Sequence, residues 1–116
     1  NLGWNLSATA TTTLMTVAAE KIVKINRITV ANVDGTSAAD VSLFVDGLTT
    51  AGATGISPTG ASATVYLAKT ISVPADATLV ISDTPIYLME GDILKGGASA
   101  ASDLDLFISY EVLDDA

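Results

Sequence analysis

Apolar and polar residues alternate with a period of two along most of the chain. The clearest example is the run Leu104, Leu106, Ile108, Tyr110 and Val112, whose intervening positions are mostly polar. A period of two is typical of a β-strand with one buried face. Turn residues separate about eight such runs at intervals of roughly 8–12 residues. The pattern therefore predicts an all-β chain, folded as a single jelly-roll-like β-sandwich of about eight short antiparallel strands over the whole sequence.

The alternation changes phase once, between Ile25 and Ile28. Val23 and Ile25 share one face of the predicted strand, whereas Ile28 and Val30 share the other. A phase change within a strand indicates a β-bulge, or a strand that bends from one sheet into another. The sequence leaves both alternatives open.

Two segments lie outside the alternating pattern. Residues 49–62 consist almost entirely of Thr, Ala, Gly, Ser and Pro, which predicts a long, mobile loop. Residues 1–6 are interpreted as an N-terminal arm. Leu2, Trp4 and Leu6 are its candidate contacts with a neighbouring subunit, because Trp is favoured at interface hot spots. Alternatively, Trp4 closes one end of its own sandwich.

The charge of the chain is strongly negative, at −8 from 13 acidic and 5 basic residues. Binding to a phosphate backbone requires Lys and Arg, so no nucleic-acid partner is expected. Three of the basic residues, Lys21, Lys24 and Arg27, nevertheless fall within seven positions. They are either an electrostatic contact for an acidic partner surface or the solvated face of a strand.

The sequence contains no His and no Cys. Imidazole bases, thiolate metal ligands and disulfides are therefore excluded, and no nucleophile elbow, Walker loop or dinucleotide fingerprint is present. We expect a protein that is not an enzyme and binds no cofactor or metal. No apolar run approaches the ~18 residues of a membrane span, so no membrane association is expected. No signal peptide is visible, and Asn1 is either a processed or a truncated start.

Glu90 and Asp92 flank Gly91 between two short apolar runs. A pair of carboxylates is compatible with general acid–base catalysis or Ca²⁺ binding. The simpler interpretation is a turn in which Gly91 adopts a positive φ and both carboxylates are solvated. That interpretation also predicts that Leu88 and Ile93 point into the core.

Asp103 and Asp105 have the spacing of two metal ligands on one strand face. Calcium sites need six or more oxygen ligands, usually from a recognisable loop, and no such loop is present. The two carboxylates are therefore predicted to be solvated.

Four segments resemble small virion structural proteins of tailed bacteriophages. They are residues 28–36 (ITVANVDGT), 66–79 (YLAKTISVPADATL), 85–94 (PIYLMEGDIL) and 103–111 (DLDLFISYE). Together they cover most of the chain outside the predicted arm and loop. The resemblance implies a non-enzymatic particle component, located on the capsid, at the neck or on the tail.

The function expected from this resemblance is that of a capsid cement or decoration protein, which binds the outer capsid surface and stabilises the shell. Its partner would be the major capsid protein or another virion subunit, and a homotrimer is expected, assembled in the host cytoplasm. The mean hydropathy of +0.51 fits a protein with buried interfaces.

Two alternatives remain for the function. One is a neck, tail or fibre component of the same virion. The other is a carbohydrate- or receptor-binding module, for which the chain offers few Trp and Tyr rings: Trp4, Tyr66, Tyr87 and Tyr110. Of these, Tyr66 and Tyr110 are expected in or near the core.

Overall fold

The computed structural model describes residues 1–50 and 56–114. These residues form nine β-strands and no helix, and every strand pair is antiparallel. The all-β prediction is confirmed. The strands are β1 (Leu2–Asn5), β2 (Thr13–Thr16), β3 (Lys21–Asn32), β4 (Ala39–Asp46), β5 (Val65–Val73), β6 (Thr78–Ser82), β7 (Ile86–Leu88), β8 (Ile93–Ala98) and β9 (Leu104–Asp114).

The strands form two sheets that enclose one apolar core. The first, which we call the long sheet, has the order β1-β9-β3-β6, and β7 pairs with β3 beside β6. The second, the short sheet, has the order β2-β8-β4-β5. Most inward positions of both sheets are Val, Ile or Leu, with a few Ala, so burial of aliphatic side chains between the sheets stabilises the fold.

The connectivity is that of a jelly roll, as predicted. Strands pair in a nested order: β1 with β9, β2 with β8, β3 with β6 and β7, and β4 with β5. The chain therefore resembles one long hairpin whose tip is the β4–β5 connection. Rolling this hairpin brings β9 against β3 and β8 against β4, which completes the two sheets.

The phase change in β3 is a β-bulge. The register between β3 and β9 shifts between Ile25 and Arg27. The extra residue turns the following positions back to the same side, so Val23, Ile25, Ile28 and Val30 are all buried in the core. The bulge alternative is confirmed, and the prediction that Ile28 and Val30 face the opposite side was wrong.

Residues 1–6 belong to the sandwich rather than to a free arm. β1 pairs with β9 in a continuous register. Leu6 follows it, is only 2% exposed and donates its backbone N–H to the carbonyl oxygen of Leu104 at 2.8 Å. Trp4 packs against the core, whereas Leu2 at the strand start is 39% exposed. Burial of the Leu6 side chain in the core, together with the pairing of β1, holds residues 1–6 in place.

The β4–β5 connection includes the segment predicted as a long loop. Of its residues, 51–55 lie outside the described part of the chain. The described residues on both sides contain no strand and are joined at their base, where Leu48 N–H donates to the carbonyl oxygen of Ala63 at 3.0 Å. Mobility of this loop stays a prediction.

Candidate functional site

The outer face of the long sheet carries exposed apolar side chains at its centre. Phe107 lies opposite Thr29, which in turn lies opposite Val80. Directly opposed residues of antiparallel strands project to the same face, so the three side chains form one row. Phe107 is 49% exposed and Val80 is 42% exposed. We call Phe107, Thr29 and Val80 the Phe107 patch.

Phe107 is directed outward by the alternation of β9. Its neighbours Leu106 and Ile108 are buried in the core, so the residue between them must face solvent. On the β1 side, the residue opposite Phe107 is Gly3, which has no side chain to cover the ring. The aromatic ring is thus presented on a flat sheet surface rather than in a cleft.

A second apolar group lies on the same face, near the end of β9. Tyr87 lies opposite Lys24, and Leu113 lies opposite Ile22. Tyr87 and Leu113 are exposed, and Ile22 is half-buried. We call Tyr87, Leu113 and Ile22 the Tyr87 patch. The outer face of the long sheet therefore carries two apolar patches.

The three clustered basic residues lie on β3, near these patches. Each has a carboxylate partner within this chain: Asp114 for Lys21, Glu111 for Lys24 at 3.7 Å, and Asp83 for Arg27 at 3.2 Å. The pairs are largely exposed, and an exposed pair contributes only about 0–1 kcal/mol to stability. The paired carboxylates mainly neutralise the positive charge of the three basic side chains. An acidic partner would have to compete with these internal carboxylates.

The outer face of the short sheet carries an aromatic pair. The rings of Phe44 and Tyr66 have centroids 5.0 Å apart, and Lys69 Nζ lies 5.2 Å from the centroid of Tyr66. Tyr66 is exposed because it projects to the outer face, opposite Phe44, so the expectation that it lies in or near the core was wrong. Tyr110, in contrast, is half-buried and packs against the core as expected.

Asp46 fastens the base of the β4–β5 connection. Its carboxylate accepts hydrogen bonds of 2.8 Å from Lys95 Nζ, Thr64 Oγ1 and the backbone N–H of Gly47. These donors, with Lys95 foremost, lower the pKa of Asp46 from 3.8 to about 2. Thr64 and Gly47 lie at opposite ends of the connection, so this one carboxylate holds the two ends together.

Protonation of Asp46 at low pH should weaken these hydrogen bonds. A carboxylate with a lowered pKa in the folded state stabilises the protein above its unfolded-state pKa, and that contribution is lost as protons bind. For Asp46 the loss falls between pH 3.8 and about 2. We expect the melting temperature of Asp46→Asn to fall less than that of the wild type across this range. Equal slopes for the wild type and Asp46→Asn would contradict the role of Asp46.

The acidic turn has a structural role that differs from the predicted one. Gly91 has the expected positive φ of 86°. Asp92, however, is only 6% exposed, and its Oδ2 accepts the backbone N–H of Met89 at 2.8 Å. Glu90 Oε2 accepts the backbone N–H of Glu20 at 2.6 Å. The prediction that both carboxylates are solvated was thus wrong for Asp92, because its side chain folds back and accepts a hydrogen bond from the backbone of its own turn.

The strands on either side of this turn differ in how they meet the core. Leu88 is buried as predicted. Ile93 is only half-buried, and its neighbour Leu94 occupies the core position instead. Leu94 lies opposite the buried Val45 of β4, which fixes it on the inner face. The prediction for Ile93 was therefore wrong by one position.

Removal of the Asp92 carboxylate should be costly. Asp92→Ala removes the acceptor of a part-buried hydrogen bond from the Met89 N–H, and a donor left unpaired on burial costs about 1–3 kcal/mol. The exposed Glu90→Ala is the matched control and should change the free energy of unfolding by about 0.5 kcal/mol or less. Urea denaturation of both variants measures the difference. A loss for Glu90→Ala as large as for Asp92→Ala would contradict this distinction.

The remaining acidic pair, Asp103 and Asp105, has ordinary surface contacts. Asp105 is exposed, as predicted, and accepts a hydrogen bond from Asn5 Nδ2 at 2.8 Å; Asp103 is half-buried. Within residues 1–50 and 56–114, no group of three or more acidic side chains is arranged to hold a metal ion. The same residues contain no pocket and no helix long and apolar enough to cross a membrane.

Neither apolar patch was predicted from the sequence. The available signal was Phe107, an aromatic residue at a polar position of the β9 alternation.

Comparisons of the chain with protein-family models, curated proteins and solved structures found no match.

Proposed function

We propose that this protein is a structural subunit of a bacteriophage virion that binds the outer capsid surface as a cement or decoration protein. Two observations support the proposal besides the surface itself. Four segments resemble small virion proteins, and the jelly roll is an architecture used by viral capsid domains, although also by lectins. Because one fold serves many functions, the proposal depends on the properties of the exposed surface.

The observation that carries the proposal is the Phe107 patch. A Phe side chain that passes from exposed to buried contributes about 1.5–3 kcal/mol. A flat sheet face with a central aromatic ring suits contact with another protein surface, since interfaces favour aromatic residues at their centre. Gly3 beside the ring leaves room for an approaching side chain.

The proposed mechanism is stabilisation of the assembled shell by mass action. A protein whose contact surface spans more than one capsid subunit binds the shell and not the free subunits, so binding shifts the equilibrium toward the shell. The proposed partner is the major capsid protein or another virion subunit. We further propose a homotrimer, because symmetric shells offer threefold positions to which a trimer can match.

The location is tested by counting copies in purified virions of the source phage. A capsid protein should be present in hundreds of copies, because shell symmetry repeats its site many times. A few tens of copies or fewer would instead place the protein at the neck, tail or fibre. Absence of the protein from the purified particle would overturn the proposal altogether.

The contact surface is tested with particles that lack the protein. Recombinant Phe107→Thr should bind such particles about ten- to a hundredfold more weakly than the wild type, as expected from the lost apolar burial. Val33→Thr removes an exposed apolar side chain outside the sheet faces and is the matched control. Unchanged binding of Phe107→Thr, with both variants folded by circular dichroism, would reject this patch as the contact.

A carbohydrate-binding module is the second candidate, and the exposed ring of Tyr87 favours it. Sugar sites commonly stack a sugar on such a ring. Tyr66 is less suited, because Lys69 lies over its ring. A glycan array separates the two proposals, since sugar binding that is lost in Tyr87→Ala would support the second.

A further inference from the structure

The outer face of the short sheet carries a basic side chain that differs from the other bases in its pairing. The three clustered bases of β3 have carboxylate partners within the chain, and so has Lys95, whose Nζ lies 2.8 Å from Asp46 Oδ2. Within the part of the chain that the structure describes, Lys69 is the only base without an ion-pair partner, and it is exposed. A carboxylate of another molecule therefore meets no internal competitor at Lys69, in contrast to the basic cluster on β3.

The ring of Tyr66 lies beside this amine. Lys69 Nζ is 5.2 Å from the ring centroid, a separation at which the face of an aromatic ring attracts a cation. Phe44 supports the ring from β4 and is itself only 6% exposed, whereas Tyr66 is 47% exposed. Tyr is among the residue types enriched at interface hot spots, so the ring and the amine offer an apolar and an electrostatic contact side by side.

Irregularities in β5 bring the side chains of Tyr66 and Lys69 to the same face. Positions three apart in a regular strand point to opposite faces. The register between β4 and β5 shifts twice, on either side of Ala68. Thr70 then has a positive φ of 48°, which is unfavourable for a β-branched residue, and its N–H donates to Ser42 Oγ at 3.1 Å. Bulges redirect side chains, and these place the unpaired amine over the exposed ring.

Lys69 and the Phe107 patch lie on opposite sides of the sandwich, because each belongs to the outer face of a different sheet. A flat subunit surface that covers the Phe107 patch therefore leaves Lys69 accessible to a second neighbour. The charge of Lys69 selects a carboxylate as its counterpart. A second copy would bring a total charge of −8 toward an equal charge, whereas a virion subunit needs to supply only one local carboxylate.

We propose that Lys69 and Tyr66 form a second contact, which receives an acidic side chain and an adjacent apolar side chain from a neighbouring virion subunit. The carboxylate pairs with Lys69 Nζ, and the apolar side chain covers the exposed part of the Tyr66 ring. Exclusion of water by that side chain strengthens the ion pair. This deepens the proposed function, on which it rests: with contacts on opposite faces, one molecule joins two subunits of the shell, as stabilisation of the assembled state requires.

The first test measures binding to particles that lack the protein. Lys69→Gln should bind about three- to tenfold more weakly than the wild type, and its affinity should depend less on salt, because an interfacial charge has been removed. Lys69→Arg keeps the charge and should retain most of the affinity. Lys21→Gln is the matched control, since it removes a base that already pairs with Asp114, and it should bind like the wild type. Equal weakening by Lys21→Gln would overturn the second contact, because net charge alone would then explain the effect.

The same measurement separates this inference from the proposed function. Phe107→Thr alters the other face and should weaken particle binding independently of Lys69. Equal binding of the wild type and Lys69→Gln, with weaker binding of Phe107→Thr, would reject the second contact and leave the proposed function standing. Failure of the wild type to bind particles would reject both.

The second test probes the site without particles. The blocked peptide acetyl-Glu-Leu-Glu-Leu-amide, at millimolar concentration, should shift the NMR signals of the Lys69 side chain and the Tyr66 ring, whereas acetyl-Gln-Leu-Gln-Leu-amide should not. No shift with the glutamate peptide would overturn the proposal, and so would shifts confined to the basic cluster on β3. Self-association of the protein alone, with the same signals shifting on dilution, would overturn it in favour of a second copy as the occupant.

Discussion

Leu6→Ala should lower the free energy of unfolding by about 2–5 kcal/mol, the range for removal of a fully buried leucine side chain. Leu6 is 2% exposed, and its backbone bond to Leu104 continues the pairing of β1 with β9 in the long sheet. Neighbouring side chains are held by both sheets and cannot collapse easily into the cavity. Chemical denaturation monitored by Trp4 fluorescence measures the change.

Leu2→Ala is the matched control, because Leu2 is the same residue type in the same segment but is 39% exposed. We expect a loss of less than about 1 kcal/mol for this variant. Equally small losses in both variants would mean that residues 1–6 are not part of the folded core in solution. That result would restore the interpretation of the segment as a free arm.

Gly96→Ala should destabilise the short sheet by about 1–3 kcal/mol, as expected for overpacking of a tightly filled site. An added Cβ would overlap the carbonyl oxygen of Ser42 and lie 3.0 Å from Leu43 Cδ1. Both residues belong to β4, directly beside Gly96 in the ladder. A backbone oxygen cannot move without disturbing that ladder, so relief must come from a shift of the whole strand pair. Thermal unfolding should show a lower melting temperature.

Gly3→Ala provides the comparison for this substitution. The nearest atom to an added Cβ at Gly3 is the carbonyl oxygen of Leu106 at 3.6 Å, an ordinary contact. Because Ala loses less conformational entropy than Gly on folding, this variant should be neutral or slightly more stable. A melting temperature of Gly96→Ala equal to that of Gly3→Ala would show that the short sheet adjusts freely.

The parts of the fold that were predictable are those set by local alternation. Leu104, Leu106 and Ile108 are buried as their spacing indicated, because a period of two places them on one face wherever the strand lies. The same spacing failed at Val112, which is on the inner face yet exposed. Burial there depends on whether another strand or sheet covers the position, and local sequence does not encode that.

Features that depend on distant parts of the chain were not predictable. The partners of Lys21 and Arg27 lie 93 and 56 positions away in sequence. The sequence predicted a solvated Asp92, and only the folded turn shows that its carboxylate is buried and accepts a backbone N–H. Phe107 became a candidate contact once the register placed Thr29 and Val80 beside it.

The nested pairing also determines when the molecule can finish folding. β1, made first, has β9 as its only partner strand among the described residues, and Asn5 and Asp105 are 100 positions apart. Such non-local pairing folds slowly, in milliseconds to seconds for sheet proteins of about this size. On the ribosome, β1 and Leu6 must wait without their partners until β9 has emerged. Until then β1 is unpaired, and aggregation competes with closure of the sandwich.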